Sequence, residues 1–164
     1  MDRFRLLLVS VVSAAAIAAA IQSANAAPAV ALKLTGAILE RDAAGTAREI
    51  PLTASERAMP GQTLRYTIVA LNKGNEAARA LTPLGRIPAG TAYVSASAPP
   101  ASARLEFSLD GVGFSERPMV VVDGPNGPER RPADPARYVA VRWAGVKLLP
   151  PGGSQSFSYT VRVK

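Results

Sequence analysis

Five stretches of the chain alternate apolar and polar side chains with a period of two. Val30, Leu32 and Leu34 share one face while Lys33 and Thr35 take the other, and Leu64, Tyr66 and Ile68 alternate with Thr63, Arg65 and Thr67. Leu105, Phe107 and Leu109 alternate with Arg104, Glu106, Ser108 and Asp110; Val139, Val141 and Trp143 alternate with Ala140 and Arg142. The last runs Phe157, Tyr159, Val161, Val163 against Ser158, Thr160, Arg162, Lys164. Successive side chains of an extended strand point to opposite faces, so this pattern predicts strands with one side on a core and one in water. Weaker candidates at Ala47 to Leu52, Ala77 to Leu81, Thr91 to Ser97 and Pro118 to Val122 bring the expected total to about seven to nine, the number of an immunoglobulin-like sandwich.

Turn residues punctuate these runs. Met59-Pro60-Gly61 and Pro150-Pro151-Gly152-Gly153 lead straight into strands, because proline presets φ at the first turn position and glycine accepts a positive φ at the next. Asn72-Lys73-Gly74-Asn75 and Asp110-Gly111 read as hairpin turns, and Asp123-Gly124-Pro125-Asn126-Gly127-Pro128 as a longer loop. Past residue 26 no window sustains a helical period, and Thr53 to Ala58 offers one short turn at most. Parallel strands need long crossovers, so the sheets are expected to be antiparallel. Tyr66, Phe107, Trp143 and Tyr159 lie in phase with the apolar faces and are assigned to the core. Residues 27–164 read as a single domain.

The first 26 residues read as an export signal. Arg3 and Arg5 precede an uncharged stretch from Leu6 to Ile21, and Ala24-Asn25-Ala26 supplies the small-x-small site, placing cleavage between Ala26 and Ala27. The apolar stretch falls short of the roughly 20 residues that span a bilayer. The processed chain is therefore expected to be periplasmic or secreted, with no transmembrane segment.

Composition removes most chemistry. The chain has neither cysteine nor histidine, which excludes disulfides, thiolate and imidazole metal sites, and every nucleophile pair that relies on those groups. Neither Gly-x-Ser-x-Gly nor Ser-x-x-Lys occurs, and Glu40 and Asp42, two apart beside an expected hairpin tip at Asp42 to Gly45, would be solvated there. The acidic and amide residues Asp110, Asp123, Asn126, Glu129 and Asp134 follow no calcium-loop spacing. The expectation is therefore no enzyme, no metal and no cofactor. The formal net charge of +7 is scattered along the sequence, so it favours anionic partners without naming one. No basic helix or aromatic-basic motif points to nucleic acid.

The segment Pro60-Gly61-Gln62-Thr63-Leu64-Arg65-Tyr66-Thr67, continuing to Asn72-Lys73-Gly74, resembles the opening of the DUF11 family: Pro-Gly, polar residues, a Tyr-Thr strand, then Asn-x-Gly. The resemblance continues through Arg86-Ile87-Pro88-Ala89-Gly90-Thr91-Ala92-Tyr93-Val94 and closes at Pro150 to Val163, covering about Ala29 to Lys164. Phe107-Ser108-Leu109-Asp110-Gly111 and the strand ending Arg142-Trp143 are similar to a stand-alone exported branch. Two departures stand out: no acid occurs in Leu81-Thr82-Pro83-Leu84-Gly85, and Val112 replaces the second glycine of Asp-Gly-Gly. The resemblance implies an immunoglobulin-like antiparallel β-sandwich of bacterial envelope and surface proteins with no established catalytic activity.

Two functions follow as expectations. The first is a non-enzymatic, exported structural or protein-interaction module of the cell envelope that binds an envelope protein through edge strands or loops; the C-terminal strand, ending Val161-Arg162-Val163-Lys164, carries the charge typical of an edge. The alternative is a module for an anionic glycan or lipid, an envelope polymer contacted by Tyr93, Tyr138, Arg130 and Arg131.

Overall fold

A computed structural model describes residues 29–41, 46–53 and 57–164. The leader with its Ala26 and Ala27 cleavage site, the tip at Asp42 to Gly45, and residues 54–56 of the short turn lie outside the described residues.

The chain forms an antiparallel all-β sandwich, as the alternation predicts. Its larger sheet runs in the order β2 (Ala47–Pro51), β1 (Val30–Arg41), β3 (Thr63–Asn72), β12 (Ser154–Val163), β6 (Thr91–Ala96). Facing it are β5 (Leu84–Arg86), β10 (Ala140–Ala144) and β7 (Arg104–Ser108), with β4 (Ala78–Leu81) and β11 (Val146–Leu149) as a neighbouring pair. The last pair, β8 (Met119–Gly124) and β9 (Gly127–Pro132), joins neither layer. All five strong candidates and the four weaker ones become strands, and β5, β9 and β11, whose short or proline-bearing sequences carry no alternation, bring the described strands to twelve.

The second layer is simpler than its five separate strands suggest. In the β10/β5 pair Val141 lies opposite Gly85, and Trp143 N–H donates to Pro83 O at 3.0 Å, continuing the same register. Beyond Gly145, whose φ is 81°, Val146 lies opposite Leu81, a register displaced by one residue. β10 and β11 are thus one bent strand paired with a bent β5–β4 strand, and a glycine at positive φ absorbs the extra residue of the bulge.

Between the layers lie Leu64, Ile68, Phe157, Tyr159 and Val161 from the large sheet, and Val141, Trp143, Val146 and Leu149 from the other. The assigned core residues sit here: Trp143 and Tyr159 are buried, and Tyr66 and Phe107 are half-buried against the same cluster. Burying a large apolar side chain contributes about 1.5–3 kcal/mol. Trp143 satisfies its indole N–H by donating to Ser97 O at 3.1 Å and packs on Phe157 at 5.3 Å.

Several local expectations change. Asn72 to Asn75 is not a hairpin turn but the corner where the chain leaves β3 for the second layer. Asn72 is fully buried there; its Nδ2 donates to Glu76 O and Leu149 O at 2.6 and 2.9 Å, and its Oδ1 accepts from Ala29 and Gly74 N–H at 3.3 and 3.0 Å. The stretch Asp123 to Pro128 is a tight hairpin with Pro125 and Asn126 at its tip. Proline cannot take the positive φ of the usual mirror-image turn, so the positive φ falls on Gly127 instead, at 112°. Val139 is 41% exposed ahead of β10, and the inward face of that strand starts at Val141.

The C-terminal strand is not an edge. β12 pairs with β3 on one side and β6 on the other, and Arg162 points to solvent from the middle of the sheet. Alternation reports which face of a strand is wet but carries no information on how many neighbours it has. The open edges lie elsewhere. β2 covers β1 only from Ala37 to Arg41, and the Leu52 N–H bond to Gly36 O adds one more residue, so Val30 to Thr35 has β3 on one side and no described strand on the other. Leu32 and Leu34, expected on a covered face, are 61% and 59% exposed because β5 ends the second layer before it spans them.

Candidate functional site

Tyr93 and Tyr138 meet. Asp134-Pro135-Ala136-Arg137 makes a single 3-10 turn in which the Asp134 carboxylate accepts from Ala136 N–H at 2.8 Å and Pro135 presets the first helical φ. The turn delivers Tyr138 onto Phe107, stacked at 4.6 Å, while Tyr93 from β6 meets Phe107 edge-on at 5.1 Å and Tyr138 at 5.7 Å. The three rings close one side of the sandwich and pack against its core. Beside Tyr138, Arg137, Thr91 and Lys164 line an open depression of about 400 Å³.

Arg130 and Arg131 stand on the β8–β9 ribbon, apart from this cluster. Arg131 donates to Glu129 Oε2 from Nε and Nη2 at 3.1 and 2.7 Å, so its charge is already partnered. Arg130 lies opposite Val121 on the other ribbon face, which also carries Met119 and Pro132. All four are exposed, Val121 at 67%. A two-stranded ribbon is marginal in water unless its base is anchored. Here the base is fixed by buried Pro118 and Ala133, joined by the Ala133 N–H bond to Pro118 O at 2.8 Å.

Of the acidic residues considered as cation ligands, Asp110 and Asp134 hold turns and Glu129 holds an ion pair. Asp110 Oδ1 accepts from Val112 and Gly113 N–H, both at 2.8 Å, and from the Ser108 hydroxyl at 2.9 Å, which together hold its carboxyl below the ordinary carboxylate range. The Asp-Gly tip is organised around this carboxylate, with Val112 pointing into solvent at 84% exposure. Asp134 caps the 3-10 turn, and Glu129 holds Arg131.

A polar group on β7 that alternation assigned to the wet face is buried. Glu106 is 8% exposed, and its Oε2 accepts from Arg142 Nε and Nη2 at 2.7 and 2.6 Å, the cross-strand neighbour in the β7/β10 register. Phe114 covers the pair, its ring 4.1 Å from the Arg142 guanidinium carbon. The loop after Asp110 folds back along the free edge of β7, where Phe107 and Ser115 exchange backbone hydrogen bonds. The signal for this was the pairing of β7 with β10; neither strand alone reveals that a carboxylate and a guanidinium lie side by side.

Burial raises all four tyrosine pKa values, and Tyr93 and Tyr159 are pushed up to about 12. A phenol with a raised native pKa gives stability that is complete below the unfolded value near 10 and is lost as pH climbs through the native one. The native protein is expected to show little tyrosinate absorbance at pH 10.5 and to lose stability between pH 10 and 12. A UV titration showing two or more tyrosines ionising at their unperturbed pKa in the folded state would contradict this packing.

Comparison of the chain with family models, with curated proteins and with solved structures returned no match.

Proposed function

We propose that this is a non-enzymatic, exported structural or protein-interaction module of the bacterial cell envelope, periplasmic or secreted, of DUF11-like type. The observation that carries the reading is the β8–β9 ribbon. It pairs with no other described strand and presents Met119, Val121, Arg130 and Pro132 as one exposed face with an apolar centre and a cationic flank. Met and Arg are enriched in protein interfaces, and an anchored ribbon holds such a face at low conformational cost. The leader-like N-terminus and the resemblance along Pro60 to Val163 support export and envelope association. No helix among the described residues is long and apolar enough to cross a membrane.

A photo-crosslinking residue at position 121, introduced in the native host, is expected to give a discrete adduct with an envelope protein. The same probe at position 112, on the exposed Asp-Gly tip, is expected to give none. Equal labelling at both positions, or no protein adduct at 121, removes the reading.

The depression beside Tyr138 favours a second reading, a site for an anionic glycan or lipid, because Arg137 and Lys164 flank the ring there. Such binding weakens steeply as salt screens exposed charges beyond about 8 Å at physiological ionic strength. Salt-independent binding, or binding unaffected by Arg137→Gln, counts against it.

A further inference from the structure

The open edge of β1 borders an apolar trough. One stretch, about 160 Å³, is lined by Val30, Leu32, Ala70, Leu81, Thr82 and Pro83, and the next, about 300 Å³, by Leu32, Leu34, Ile68, Leu84, Arg86 and Tyr159. Leu32 belongs to both, so the two form one channel running along β1 from Val30 to Leu34. Its far wall is β5, which among the described residues pairs only with β10, on the side away from β1.

The free backbone groups of β1 lie in the sheet plane beside this channel. Gly36 O accepts from Leu52 N–H on the β2 side, whereas Ala29 O accepts from Lys73 N–H on the β3 side. In-plane hydrogen-bonding direction alternates along a strand, so the N–H and C=O groups of Val30, Leu32 and Leu34 face outward, in line with β2. These groups have no backbone partner among the described residues. A strand lying there would extend the line of β2, make main-chain bonds to Leu32 and Leu34, and send alternate side chains into the trough.

Charge selects the occupant. Lys33 lies on the outer face of the same edge and Arg86 lines the trough; no described carboxylate lies within ion-pair distance of either, and no acid lines the channel. A second copy of β1 would bring another Lys33 to this edge, and lysine at an edge opposes such self-pairing. We propose that the β1 edge from Val30 to Thr35 binds an extended segment of a partner protein by strand addition, the segment alternating apolar residues with carboxylates. Main-chain bonds supply affinity, the trough takes the apolar side chains, and a carboxylate opposite Lys33 sets the register.

The proposal rests on the interaction-module reading, which the ribbon crosslink tests separately. The probes are an acetylated octapeptide of sequence TVEVTVEV, its lysine counterpart TVKVTVKV, and the glutamate peptide N-methylated at each valine. The valine amides are the ones that would face Leu32 and Leu34, so methylation removes the donors and puts a methyl group in their place. With 15N-labelled protein, the glutamate peptide is expected to slow amide exchange at Leu32 and Leu34 by at least about tenfold at saturation, following its fractional occupancy. The lysine peptide should bind about tenfold more weakly and the methylated one should leave exchange unchanged. Leu34→Glu, at a position 59% exposed, should abolish protection.

Equal binding of the two charged peptides overturns the proposal, as does the absence of any protection. It also falls if Leu32 and Leu34 amides are already protected in the free protein: protection that grows with protein concentration assigns the edge to a second copy, and protection independent of concentration assigns it to the chain's own residues. If the adduct at position 121 forms while the peptides leave β1 untouched, only the β1 assignment is lost.

Discussion

Asn72→Ala lowers the stability of the folded protein by about 3–5 kcal/mol, seen as a fall in urea midpoint at unchanged slope. The substitution leaves the β3 corner in place but strips four bonds from it: two carbonyls, of Glu76 and Leu149, lose their donor, and two N–H groups, of Ala29 and Gly74, lose their acceptor. An unsatisfied buried polar group costs about 1–3 kcal/mol, and water entering at the more exposed Glu76 end recovers part of the total. Against a typical domain stability of about 5–15 kcal/mol this is a large fraction. The side chain is also a joint. It ties β3, the β11 end at Leu149 and the start of β1 at one point, so its loss loosens contacts between the layers as well as within them. Asn72→Asp discriminates between space and bonding: the side chain fits and one oxygen can still accept from Ala29 and Gly74 N–H, but the carboxylate oxygen that replaces Nδ2 would face the carbonyls of Glu76 and Leu149, so it should be no more stable than Asn72→Ala at neutral pH. If Asn72→Asp retains wild-type stability, the bonding scheme at the corner is wrong.

Asn72 also shows where legibility ended. Asn-x-Gly after an alternating strand is the usual writing of a hairpin turn, and the local chemistry is indeed a turn, since Gly74 N–H bonds the Asn72 side chain. Whether the next strand returns beside β3 or crosses to the other layer is decided by Leu149, 77 residues away, and no local window contains that. The same division holds elsewhere. The inward faces of β3 and β12 were readable because burial follows a period of two within one strand. The exposure of Leu32 and Leu34 was not, because it depends on how far β5 reaches. Tyr93 and Tyr138 could be singled out as aromatic residues at strand ends, but their contact requires the Asp-Pro turn to place one strand end beside another. Arg130 and Arg131 are adjacent in sequence; only the pairing of β8 with β9 separates them onto opposite faces and partners one with Glu129. The candidate edge moved from β12 to β1 for the same reason: an edge is defined by a neighbour that is missing, and a sequence lists only residues that are present.

Gly85→Ala is expected to cost about 2–4 kcal/mol although the backbone of β5 suits alanine. A β-carbon at this position would sit 2.4 Å from Tyr159 Cε1 and 2.8 Å from its Cδ1, far inside contact distance. The ring has little room to yield. Its hydroxyl donates to Arg86 O at 2.6 Å, Tyr66 stacks on it at 5.2 Å, and the residue is 2% exposed. Relief must come either from rotating Tyr159, which breaks the hydroxyl bond and the stack, or from pushing β5 away from β10, which strains the pairing of Gly85 with Val141. A double-mutant cycle separates this clash from a general intolerance of β5. In a Tyr159→Leu background the ring is gone, so Gly85→Ala should cost less than about 1 kcal/mol and the coupling should be at least about 1 kcal/mol, within the range seen for residues in direct contact. Equal costs in the two backgrounds would mean that the glycine is needed for something other than room for the ring. The pair also lies at the trough, since Gly85 and Tyr159 both line it. If the large-sheet side of the trough depends on where this ring rests, Gly85→Ala weakens binding of the glutamate octapeptide beyond what its loss of stability accounts for, measured at a temperature where the variant is fully folded.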